Sequence, residues 1–206
     1  MVSLRIAVVY RAFHRSGSLS RATVELASRL SERHDVHVFS VGALSDPALA
    51  PECTFHDVPA RGLGSGSGAS ARELLSYARN AARLLSADRF DVVHTCAPST
   101  WVADILHVPG VMRGESIGQG DPGWRFAAGL ARHPRKAARL FLERKALRGR
   151  FARIHAAAPS VRDDLVRYYG VEPDRITVVS PAVNLDHYGS SVERKAARLA
   201  LGCKHP

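Results

Sequence analysis

Residues 162–188, RDDLVRYYGVEPDRITVVSPAVNLDHY, decide the fold class. Arg162–Tyr169 carries helical apolar periodicity, and Gly170 stands just past its last periodic residue as a helix stop. Ser160 occupies the expected N-cap position. Pro173–Asp174 then makes a turn, and the β-branched run Ile176–Val179 fits a short strand buried on both faces. Helix, glycine stop, turn and buried strand in immediate succession belong to an α/β sheet.

The same alternation extends toward the N-terminus. Leu4–Tyr10 is nearly all apolar, the mark of a central parallel strand. A helical pattern begins at Ser18 and continues through Val24, Leu26, Ala27 and Leu30, and a second apolar strand follows over Val36–Val41. Strand, helix and strand in that order imply a right-handed crossover. Cys53–Val58 reads as a third strand, Glu73–Leu85 as a helix and Asp91–Thr95 as a fourth strand. Between them, Arg61–Ser70 has the glycine and serine content of a flexible loop. A Gly-, Pro- and charge-rich loop covers Pro109–Gly123, a long basic helix spans Trp124–Arg150, and Ile154–Ala158 and Ile176–Val179 supply strands five and six. Ser191–Leu201 reads as a last helix capped by Gly202. The expected fold is therefore a doubly wound, mostly parallel, Rossmann-like sheet. Its ligands should sit beyond the carboxyl ends of the strands.

Composition sets the remaining bounds. A chain of 206 residues, 46% hydrophobic, can bury one real core. Its 29 Lys and Arg against 19 Asp and Glu give a formal charge of +10. That excess points to anionic partners such as phosphates or lipid headgroups, or else to an arginine-rich genome. Cys53, Cys96 and Cys203 are odd in number and widely spaced, which suggests neither a disulfide framework nor a metal site. No apolar run reaches the roughly 18 residues of a membrane span. The first post-strand loop, Arg11–Leu19, lacks the spacing of both GxGxxG and GxxxxGK[ST], so neither a dinucleotide nor a P-loop nucleotide site is expected. Nucleic acid is not an expected partner, because the basic helix has little aromatic interleaving.

The segment Arg162–Tyr188 resembles the part of family 4 glycosyltransferases that closes the N-terminal domain of a GT-B fold, with Ser180–Asp186 in place of a Pro-Asn-Gly-Val-Asp-like exit. The resemblance implies a Rossmann-like acceptor-side domain over residues 1–188, and in 189–206 the start of the connection to a second domain that the sequence lacks. It further implies retaining transfer from a nucleotide-sugar to a glycan or glycolipid acceptor, with no metal and no other cofactor. The expected chain is inactive without a donor domain; the alternative is a non-catalytic module that binds an anionic membrane or a glycolipid. The expected location is the cytoplasm, either free or resting on the inner face of the cell membrane.

The resemblance also nominates residues. Gly17-Ser18 stands where the family has a Gly-Gly pair approaching the sugar or diphosphate, and Arg21 where some lipopolysaccharide-core glucosyltransferases have an arginine. His94, ending the fourth strand, reads as structural. His107, in ADILHVPGVMRGE (103–115), is similar to a family histidine near the reacting sugar and takes a supporting catalytic role, although those glucosyltransferases have aspartate at the position of Gly110. Arg113 and Glu115 are further substrate-binding candidates.

In the basic helix, Arg132, Arg135, Lys136, Arg139 and Arg150 share one side, and Ala137, Leu140, Phe141, Leu147 and Phe151 share another, interrupted by Arg144 and Arg148. The basic side suits an anionic bilayer. A core helix with a solvated basic face is the competing reading.

Overall fold

The computed structural model describes residues 2–61, 69–114, 123–149, 151–180, 198 and 202. The apolar runs become short strands: β1 (Arg5–Val9), β2 (Asp35–Ser40), β3 (Thr54–Asp57), β4 (Val92–Thr95), β5 (Ile105–Val108), β6 (Arg153–Ala156) and β7 (Ile176–Val178). They form one sheet in the order β3-β2-β1-β4-β5-β6-β7, every pairing parallel. The strand order reverses between β1 and β4, the point at which doubly wound sheets open a crevice for ligands.

Helices cover both faces. α1 (Ser18–Ser31) buries Ser20, Thr23, Val24 and Ala27. That spacing is one helical stripe, and it packs on Ile6, Val8, Val36 and Val38. The opposite face takes α2 (Ala71–Ala87), whose Tyr77, Ala81 and Leu85 lie on Ala7, Val9 and Phe39. Farther along that face, α4 (Pro134–Leu147) and α5 (Pro159–Tyr169) bring Ala146, Leu147, Val161 and Leu165 onto Leu106, Val108, Ile154 and Ala156. Gly170 ends α5 at φ 63°, the left-handed conformation a glycine stop requires.

Four expectations are corrected. A seventh strand, β5, lies inside a stretch read without one. The long basic helix is two, α3 (Gly123–Arg132) and α4, because Pro134 has no N–H to continue a helix and instead begins a new one, with His133 as N-cap. The break resets the rotation: Ala137 and Phe141 are exposed, whereas Ala138, Leu142, Glu143 and Ala146 face inward. Ser160 lies within α5, whose N-cap is Ala158 with Pro159 in the first turn. The final helix over Ser191–Leu201, the boundary at Tyr188 and the loop over 62–68 lie outside the described residues apart from Arg198.

Candidate functional site

The loop leaving β1 at the order reversal is bound tightly to itself. Buried Ser20 donates its hydroxyl to the Ala12 carbonyl at 2.8 Å and accepts the His14 N–H at 3.0 Å. Gly17, at φ 82°, precedes α1, and a Cβ there would meet nothing within 4 Å. The glycine is demanded by backbone conformation, and the space beside it is open. Ser18 is the first residue of α1 and is exposed. Together the loop and the first turn of α1 bound a cleft of about 320 Å³, lined by Tyr10, Arg11, His14 and the Gly17–Ser20 turn.

The two arginines of this region differ in use. Arg21 donates through Nε and Nη2 to the Arg15 carbonyl, both at 3.1 Å, and so closes the loop onto α1. Arg11, which the sequence does not single out, lines the cleft and donates Nη1 to Glu73 Oε1 at 2.5 Å. Glu73 is 2% exposed. Its place in the first turn of α2 is fixed by Ser70, whose side chain accepts the Glu73 N–H at 3.1 Å. Tyr10 is half-buried, and burial raises its phenol pKa while the charges of Arg11 and Arg139 pull it down.

The loop after β5 lies on the other side of the order reversal. Met112 N–H donates to Glu143 Oε2 at 3.2 Å, and Tyr169 donates its hydroxyl to Glu143 Oε1. The phenol of Tyr169 is raised, by burial first and by Glu143 second. Arg113 is exposed, its guanidinium 5.2 Å from the centre of the Tyr168 ring. A Cβ on Gly114 would fall 1.8 Å from Asp164 Oδ2, so a side chain there would require the Asp164 carboxylate to move. Glu115 lies outside the described residues.

His107 sits within β5, in register with His155 of β6. His94 is in register with Ile105, which puts all three imidazoles on the α1 side of the sheet, and the His94 and His155 rings are 5.8 Å apart. Burial, reinforced by the neighbouring imidazoles, pushes His94 down to about 4. Burial also lowers His107 and His155. These are half-buried imidazoles on one face of the sheet, whereas Gly17, Ser18 and Arg21 lie in the β1–α1 region and Arg113 in the loop after β5. Among the described residues no group of three or more His, Cys, Asp or Glu could hold a metal ion.

Arg132, Arg135, Lys136 and Arg139 are exposed, and among the described residues none of them forms an ion pair. Trp124 and Phe141 on the same two helices are 68% and 52% exposed. No helix among the described residues is long and apolar enough to cross a membrane.

A sequence model described as glycosyltransferase family 4 matches residues 19–187. A D-inositol 3-phosphate glycosyltransferase of Streptomyces scabiei is 27% identical over 212 positions, covering 91% of this chain and 44% of that protein. One from Streptomyces bingchenggensis is 29% identical over 126 residues, covering 55% of this chain and 25% of that one. Among solved structures, WaaG, a glycosyltransferase involved in lipopolysaccharide biosynthesis, superposes with a TM-score of 0.74 at 18% identity over 97% of this chain and 52% of its own. Anabaena HepE in complex with UDP and glucose does so with a TM-score of 0.56 at 12% identity, over 97% and 50%. The chain thus spans about a quarter to a half of the length of these relatives.

Proposed function

The chain belongs to glycosyltransferase family 4, and from that premise we propose that it is the acceptor-side half of a retaining glycosyltransferase that moves a sugar from a nucleotide-sugar to a glycan or glycolipid acceptor. The observation that carries the reading is the cleft at the order reversal of a doubly wound sheet, bounded by the α1 N-terminus and Arg11. The half-length match to the relatives supports the need for a second, donor-binding domain. Residues 1–188 would form the acceptor-side domain and 189–206 the start of the connection.

The chemistry asked of this half is placement and charge. Backbone N–H groups of the first α1 turn and the Arg11 guanidinium offer donors to an anionic group. The curated relatives are named for an acceptor that carries a phosphate, a group this cleft suits. Holding an acceptor hydroxyl in line with a sugar supplied from the facing domain, and neutralising the leaving diphosphate, would account for transfer without a metal. His107, half-buried in β5, would keep the supporting role that the family resemblance gives it only if the facing domain brings the sugar to that side of the sheet. The test offers the chain alone a panel of nucleotide-sugars with sugar, sugar phosphate and lipid acceptors. No product is expected, and turnover by the chain alone would overturn the half-enzyme reading.

The exposed Trp124 and Phe141 beside Arg132, Arg135, Lys136 and Arg139 favour a second reading, in which α3 and α4 rest on an anionic membrane facing the cytoplasm. Liposome sedimentation should then show binding that requires anionic lipid and weakens as added salt shortens the screening length below about 10 Å. Equal binding to neutral vesicles would remove it.

A further inference from the structure

A buried carboxylate on α2 is fixed against the cleft by contacts that stability alone does not explain. Glu73 is 2% exposed, and its ionic partner is Arg11, 62 positions earlier, on the first turn of chain beyond β1. Removing two charges from water generally gains little over an apolar pair of the same volume. What such a pair does provide is direction. A guanidinium has five N–H donors in a rigid fork, and the contact with Glu73 uses one nitrogen, Nη1. The Arg11 side chain is 26% exposed, so it is neither sealed in the core nor free to swing in solvent. Its backbone is fixed as well, its carbonyl accepting the Val41 N–H at 3.0 Å.

We infer that Glu73 is a positioning residue that holds Arg11 at the cleft so that the remaining guanidinium donors bind a phosphate group of the ligand. The inference rests on the reading of the cleft as the ligand site of this half. The phosphate has two sources, the monoester of a phosphorylated acceptor and the diphosphate of the nucleotide-sugar, and both present oxygens that match the guanidinium fork. Arg21 is not in competition for this role, because its Nε and Nη2 already hold the Arg15 carbonyl.

The test is a double-mutant cycle on the 206-residue chain with Glu73→Gln, Arg11→Gln and the pair together, each retaining an amide able to hydrogen-bond its neighbour. Binding of D-inositol 3-phosphate, UDP and inorganic phosphate is measured by calorimetry or chemical-shift titration, alongside thermal melting. Arg11→Gln should weaken the phosphate-bearing probe by about tenfold, the scale of one lost charge-assisted bond. Glu73→Gln should weaken it about threefold or more, and the double variant no further than Arg11→Gln alone, because Glu73 acts through Arg11. Preference for the monoester or for UDP identifies the source. Unchanged affinity in Glu73→Gln, whatever its melting temperature, or losses that multiply in the double variant, would overturn the positioning role while leaving the cleft as a site. If the wild-type chain binds none of the three probes, the reading of the cleft falls, and the inference with it.

Discussion

Glu73 and Glu143 are almost equally hidden, 2% and 5% exposed, on two helices that pack against each other, yet they hold different things. Glu73 meets a cation beside an open cleft. Glu143 takes the Met112 N–H and the Tyr169 hydroxyl and so ties the loop after β5 to α4 and α5. Burial of an acid is therefore not one signal here. A carboxylate that satisfies backbone and hydroxyl donors is joinery, and its loss is felt in folding. A carboxylate that fixes a partly exposed guanidinium is better placed to act on a ligand.

The largest expected effect tests the joinery. Glu143→Ala would leave the Met112 N–H and the Tyr169 hydroxyl without this acceptor, each costing about 1–3 kcal/mol, and would open a gap between α4 and α5. Urea denaturation at neutral pH should show stability lowered by roughly 3 kcal/mol or more, with an unchanged m-value. A loss under about 1 kcal/mol would break the comparison, since Glu143 would then be no more structural than Glu73.

A pH titration separates both carboxylates from the histidine layer between them and α1. His94 is held at about 4 by burial and by the neighbouring imidazoles, against 6.5 when unfolded. Between those values the unfolded chain binds the proton that the folded chain excludes. Stability is thus fully present above pH 6.5 and is lost as the pH falls toward 4, by up to about 3 kcal/mol. His94→Phe should flatten that part of the profile in denaturant melts taken from pH 7 to 4. An equally steep profile in the variant would move the titration to His107 or His155, whose pKa values burial also lowers.

These side-chain partnerships were the least legible part of the sequence. The α/β class, six of the seven strands and the Gly170 stop could be read from local periodicity and turn residues. β5 was not, because Ile105–Val108 is four residues long, carries a histidine and runs straight into Pro109. The division between α3 and α4 had a signal, Pro134, outweighed by amphipathic spacing that continued across it. The strand pattern makes the β1–α1 loop a place for ligands, but within it Gly17 and Arg21 stand out only by resemblance. Arg11 gains its meaning from Glu73, and a pairing across 62 positions leaves no local pattern.

The smallest expected effect is the one that sharpens the comparison most. Glu73→Gln keeps the volume and an acceptor oxygen for Arg11, so what it removes is the charge of the pair. Breaking a fully buried pair by removing one partner costs about 3–5 kcal/mol, because the other charge is stranded. Here the charge left behind is the Arg11 guanidinium, which is 26% exposed and stays in contact with water and with the amide oxygen of the variant. The change in unfolding free energy should stay within about 1 kcal/mol, well below that of Glu143→Ala measured in the same buffer. A loss as large as that of Glu143→Ala would make both acids structural. The Arg11 guanidinium would then have to be explained as part of the framework that carries the cleft and not as part of what the cleft binds.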